Sequence, residues 1–100
     1  MSGHGGREAM LRADAARWRD QVAIDITSTA AIAAMSERGV SIDALAAAVG
    51  RIASHIAAGE DTIEMHSVQA RRAAKFLEAR GHILRVDADL IRPVRDGELI

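Results

Sequence analysis

The chain has no cysteine and no tyrosine, and its 100 residues include one tryptophan, one phenylalanine and one proline. Without cysteine, neither a disulfide nor a thiolate metal site can form. With so few rings, the core has to be assembled from Ala, Leu, Ile, Val and Met. Alanine is the best intrinsic helix former, so the same composition favours helix. Its side chain buries little area, so helices must approach closely or find a partner. Long apolar runs are missing too. None approaches the ~18 residues of a membrane span, and Met1–Gly6 carries neither the apolar stretch nor the cleavage pattern of a secretory leader. The chain therefore reads as cytoplasmic, with no membrane partner.

Charge of one sign is also lacking, since the net charge is −1. Its distribution is uneven. Residues 1–65 carry six Arg against nine acidic side chains, whereas residues 66–100 carry seven Lys/Arg against five, so the C-terminal third is the basic part. One hundred residues make one domain. A chain this size buries only about 60–65% of its unfolded surface, close to the lower limit for a comfortable core. A homodimer or a larger complex is one way to bury the rest.

Signatures of catalysis are absent. His4, His55, His66 and His82 form no i, i+4 pair and no His-Glu-x-x-His run. No Gly-x-Ser-x-Gly elbow frames a serine, and Gly3-His-Gly-Gly is followed by no Lys-Ser/Thr of a phosphate loop. A domain this small has little room for an enclosed pocket. The expectation is a protein without enzymatic activity, cofactor, metal or small-molecule substrate.

What is present is helical periodicity. Residues 1–6 are Gly-rich and read as disordered, residues 7–94 as one domain, and residues 95–100 as a loose tail. From Arg7 to about Arg38, Leu11, Ala15, Trp18, Val22, Ile26, Thr29 and Ala33 recur at steps of three and four and share one face. The β-branched run around Val22, Ile24 and Ile26 predicts a kink or a break. Gly39 suits the position after a helix, and Ser41 suits the N-cap of the next, which has Asp43 in its first turn. Leu45, Val49, Ile52 and Ile56 form its apolar stripe, and Gly50 marks either a weak point or a hinge. Thr62 to Met65 reads as a short strand or a first helical turn. Ser67 caps a helix to Arg80, with Ala70, Ala73, Ala74 and Leu77 inward and Phe76 at the edge. Gly81 stops it. Two β-rich runs around Asp87-Ala-Asp predict a hairpin, with Pro93 placing the second strand at an edge. The fold class expected is a mainly α bundle of three to four helices with a short C-terminal β-hairpin.

Residues 67–94 carry the strongest local signal. Arg71 and Ala73 on the helix, then Leu77, Glu78, Gly81 and Ile83 at its exit, resemble the recognition helix and wing of winged-helix regulators of the GntR-like kind. The resemblance implies a DNA-binding regulator with a wing over Ile83–Val94. Arg71, Arg72 and Lys75 lie within about one helical turn, and such a helix can enter a major groove. Ser67 at the helix start could hold a phosphate oxygen, and Arg85 and Arg92 could touch backbone phosphates. In this reading the protein is a dimer through Trp18, Val22 and Ile26, or through Leu45 and Val49. The alternative is a protein-interaction module without nucleic acid, such as a phage inhibitor of the anti-CRISPR kind or an antitoxin. Its acidic Asp14, Asp20, Asp25, Glu60, Asp61 and Glu64 would then face a basic partner. A purely structural oligomer, such as a phage component, is the third possibility.

Overall fold

The computed structural model describes residues 3–60, 62–87 and 90–93. Three helices come first, α1 (Gly3–Ile26), α2 (Thr29–Glu37) and α3 (Ile42–Ala57). They are followed by β1 (Ile63–Glu64), α4 (Val68–Ala79), β2 (Ile83–Asp87) and β3 (Leu90–Pro93). The mainly helical fold with a C-terminal hairpin is what forms, with one addition. β1 pairs with β3, making a three-stranded antiparallel sheet in the order β1-β3-β2.

The helix ends follow from local chemistry. Ser41 Oγ accepts a hydrogen bond from the Ala44 N–H at 3.1 Å, and Ser67 Oγ from the Ala70 N–H at 3.4 Å. Gly39, Gly59 and Gly81 take positive φ after α2, α3 and α4. In each case the next residue donates its N–H to the carbonyl five positions back: Val40 to Met35, Glu60 to His55 and His82 to Leu77. These bonds satisfy carbonyls that the helix end would leave open.

The first long helix divides where its β-branched run predicts trouble. The Thr27 hydroxyl donates to the Ile24 carbonyl at 2.8 Å, and Ser28 Oγ accepts from the Ala31 N–H at 3.1 Å. The break changes the helical phase. Ala15, Trp18 and Val22 are buried and Ile26 is half-buried, as the stripe requires, but Thr29 and Ala33 are exposed while Ala31 and Met35 turn inward. At its other end α1 starts at Gly3, so the segment expected to be disordered is helical from that residue. α1 lies close to the turn after α3. Leu11 Cδ1 and Arg7 Nη2 are 3.3 and 3.5 Å from where a Cβ on Gly59 would stand. Residues 95–100, expected as a tail, lie outside the described residues, as do Val94 and the 88–89 turn of the hairpin.

α3 runs unbroken through Gly50, so the hinge is absent, and it packs mainly on α1. Leu45, Ala48, Ile52, Ala53 and Ile56 are its buried face. Ile63, Ile91 and Val86 stand in one row across the sheet, facing the core. β3, expected at an edge, is the central strand. Pro93 lies beyond that pairing, because β1 is only two residues long and among the described residues joins Ile91 and Leu90 alone. Phe76, expected at the edge of α4, is fully buried. Ala73 and Ala74 beside it supply little volume, and the single phenylalanine fills that space. Among the described residues no polar or charged side chain is fully buried, and no single helix is long and apolar enough to cross a membrane.

Candidate functional site

The buried arc of α4, Ala73 to Leu77, leaves an exposed ridge of Val68, Arg72, Lys75 and Ala79. Of the expected nucleic-acid residues, Arg72 and Lys75 stand on this ridge. Arg71 does not. It is half-buried, and its Nη1 donates to the His66 carbonyl at 3.1 Å, tying down the helix entrance. The Ser67 hydroxyl is engaged in its own cap. Arg72 reaches toward the α2–α3 turn, with Nη1 3.6 Å from where a Cβ on Gly39 would stand. Arg85 and Arg92 are exposed and directly opposite one another across β2 and β3. Like charges in that register repel. Neither has a hydrogen bond or ion pair among the described residues, and the same holds for Arg72 and Lys75. Among those residues no helix lies between α3 and α4, so α4 has no supporting helix directly before it.

The exit positions that carry the winged-helix resemblance have structural roles. Leu77 and Ile83 are in the core, and Gly81 makes the turn at φ 80°. Glu78 Oε2 accepts the Val86 N–H at 2.7 Å, fastening β2 to α4. Next to this exit is a polar corner that joins the end of α1 to the end of α4. Arg80 grips Asp25 with two hydrogen bonds, Nε to Oδ2 at 2.7 Å and Nη2 to Oδ1. His82 Nε2 lies 2.7 Å from Asp25 Oδ2, and the Trp18 indole N–H donates to the His82 carbonyl at 2.6 Å. The Arg80 hydrogen bonds lower the Asp25 pKa most, partial burial opposes them, and His82 adds to the lowering, so that it falls from 3.8 to about 2. The same carboxylate raises the Arg80 pKa.

A third feature lies in the angle between α2 and α3, which bend 104° from one another. An open groove of about 760 Å³ runs there beside Ile26 at the end of α1. Met35, Val40 and Leu45 form its buried floor, and Ile32 and Ile42 stand at its rim, 54% and 75% exposed. Thr27 and Ser36 add hydroxyls, and among the described residues no charged side chain lines it. The expected dimer residues fall differently. Trp18 and Val22 are buried in the chain's own core and offer a partner nothing. Val49 is half-buried against that core. Leu45 lies buried in the groove floor, and Ile26 is half-buried at its wall, so of the five only Ile26 reaches an accessible apolar surface.

His55 and His66 have acidic neighbours close in sequence. His55 Nδ1 contacts the Glu60 carboxylate, and His66 Nε2 lies 3.6 Å from that of Glu64. No group of three metal-ligating side chains forms among the described residues. Sequence reasoning missed the groove because Ile32 and Ile42 fall outside the periodic stripes. It missed the Asp25 corner because the partners are more than fifty positions away. No family model, curated protein or solved structure matches the chain.

Proposed function

We propose that this protein is a non-enzymatic binding protein that docks an apolar surface in the groove between α2 and α3. The observation that carries the reading is the groove itself, floored by Met35, Val40 and Leu45, rimmed by exposed Ile32 and Ile42, and free of charged lining. With no titratable side chain it supports packing rather than acid–base chemistry. Fully burying an isoleucine contributes about 1.5–3 kcal/mol. At the observed exposures, covering Ile32 and Ile42 supplies roughly 2–4 kcal/mol toward an association cost of about 4–15 kcal/mol. The two rim residues can therefore be the centre of an interface to which the floor and the outer face of α2 add. An inhibitor or antitoxin acting on a host protein is one such binding protein. The test uses Nile red, an uncharged apolar dye, at low protein concentration. The native chain should enhance its emission, and Ile32→Gln combined with Ile42→Gln should lose most of that signal. Equal enhancement in both proteins would sink the reading.

A second reading is favoured by the opposed Arg85 and Arg92 and by Arg72 and Lys75, which are unpaired among the described residues. These four cations would contact the phosphates of DNA, as in a small winged-helix-like regulator. Four phosphate contacts predict that affinity falls about 150-fold between about 50 and 200 mM salt. Anisotropy of a labelled duplex measures this, and the four alanine substitutions together should remove the salt-sensitive binding. No binding at the lower salt excludes the reading.

A further inference from the structure

The groove surface carries a concave floor and projecting knobs side by side. Met35, Val40 and Leu45 form the hollow, while Ile32 and Ile42 project from its rim. A hollow and a knob on one patch are what a two-fold contact between identical surfaces requires, since the knob of each copy can enter the hollow of the other. We infer that the occupant of the groove is a second copy of this chain, seated about a two-fold axis with Ile32 or Ile42 of each copy in its partner's groove. The inference rests on the docking reading above.

Three further observations point the same way. First, among the described residues no charged side chain lines the groove, and the exposed charges at its margin, Glu37, Arg38 and Asp43, are mixed in sign. α2 has one charged residue, Glu37, at its last position, and its exposed Thr29, Ala30 and Ala33 are small and neutral. A strongly acidic or strongly basic partner would find no field of one sign there, whereas a like surface needs none. Second, α2 is nine residues long and buries only Ala31 and Met35. Isolated helices shorter than about 12–15 residues are marginal in water, and a covering copy supplies the packing that α2 lacks within its own chain. Third, the size of the patch sets the strength. The groove and the outer face of α2 together offer about half of the 20–30 residues a side that a standard interface uses. The contact therefore belongs to the small, transient class, with a micromolar dissociation constant rather than a permanent one.

Sedimentation equilibrium of the full chain, from about 1 µM to about 1 mM, tests this. The native protein should pass from monomer to dimer within that range. Ile32→Glu and Ile42→Glu should each weaken the dimer at least about 10-fold by placing like charges in a closed apolar contact. Both positions are exposed, and glutamate is a good helix former that suits the first turn of α3, so circular dichroism and Tm at low concentration should not change. A native protein that stays monomeric throughout overturns the second-copy assignment, and Nile red then separates the remaining cases. If the glutamine variants still lose the dye, the groove stands with a different occupant, and if they do not, the docking reading falls as well. A dimer that both glutamate variants leave intact places the contact elsewhere and also overturns the inference.

Discussion

Asp25 is where a single substitution should change stability by an amount that depends on pH. Its carboxylate holds Arg80 through two hydrogen bonds and His82 through a third contact, and so ties the end of α1 to the end of α4 and the start of β2. Folding lowers its pKa from 3.8 to about 2. A carboxyl group whose pKa is depressed on folding adds stability that is complete above its unfolded value. That stability drains as the pH falls through the folded value. The full difference corresponds to about 2 kcal/mol. The side chain is still 22% exposed, and solvent screening removes part of it, so about 1 kcal/mol is the working expectation.

Asp25→Asn keeps the shape and removes the charge. At pH 7 it should lower Tm by roughly 4–8 °C for a domain of this size. The gap from the native protein should shrink between about pH 4 and pH 2 and nearly close at pH 2. Urea melts followed by circular dichroism at several pH values measure it. Trp18, the only tryptophan, gives a second signal because its indole N–H is bonded to the carbonyl of His82. A native-like melt of the variant at pH 7, or a gap equally wide at pH 7 and pH 2, would refute the account of this corner.

Two further substitutions test the elements around it. Glu78→Ala leaves the Val86 N–H without its acceptor and should cost about 1–3 kcal/mol. Amide exchange should quicken at Val86 while the α3 amides shift only with global stability. Gly59→Ala should cost about 1–2 kcal/mol, because φ is 77° and the new Cβ would stand 3.3 Å from Leu11 Cδ1. Gly50→Ala should instead stabilise by about 0.5–1 kcal/mol, since a Cβ at that position in the middle of α3 meets nothing within 4 Å. Paired thermal melts of these two alanine variants should move in opposite directions.

The parts of the fold that could be read in advance are those whose causes are local. Ser41 and Ser67 bond to N–H groups three residues on, and Gly39, Gly59 and Gly81 need only their own φ. The stripes of α1 and α3 were visible for the same reason. What escaped depended on distant contacts. β1 finds β3 twenty-eight positions away, Ile63 to Ile91, so the third strand could not be told from a helical turn. Asp25 meets Arg80 and His82 across 55 and 57 positions. An apolar stripe also looks the same whether it faces its own core or a neighbour, so by sequence Trp18, Val22 and Leu45 suit an interface, yet they are buried within the chain. Basic residues show the converse problem. Arg71, Arg72 and Lys75 share a turn, but only the packing of α4 and the His66 carbonyl separate the first from the other two.

The candidate groove traces back to the break at Thr27 and Ser28. Had α1 continued in register, Thr29 and Ala33 would have lain inward, and Met35, about 200° round the helix from Ala33, would have faced away from the core. β-branched Ile24 and Ile26 weaken the helix just before that point. Thr27 and Ser28 can satisfy the freed backbone groups with their own hydroxyls, so the cost of breaking here is low. The new phase sends Met35 inward to the groove floor and leaves Ile32 half exposed at the rim. With two aromatic residues in the whole chain, both already buried, no large ring remains to close the angle between α2 and α3. A short helix with an uncovered apolar rim is a cost to an isolated monomer. The same surface becomes a source of binding energy once a partner covers it, and this is the physical reason to place the function of the chain at α2 and α3 before looking to its charged faces.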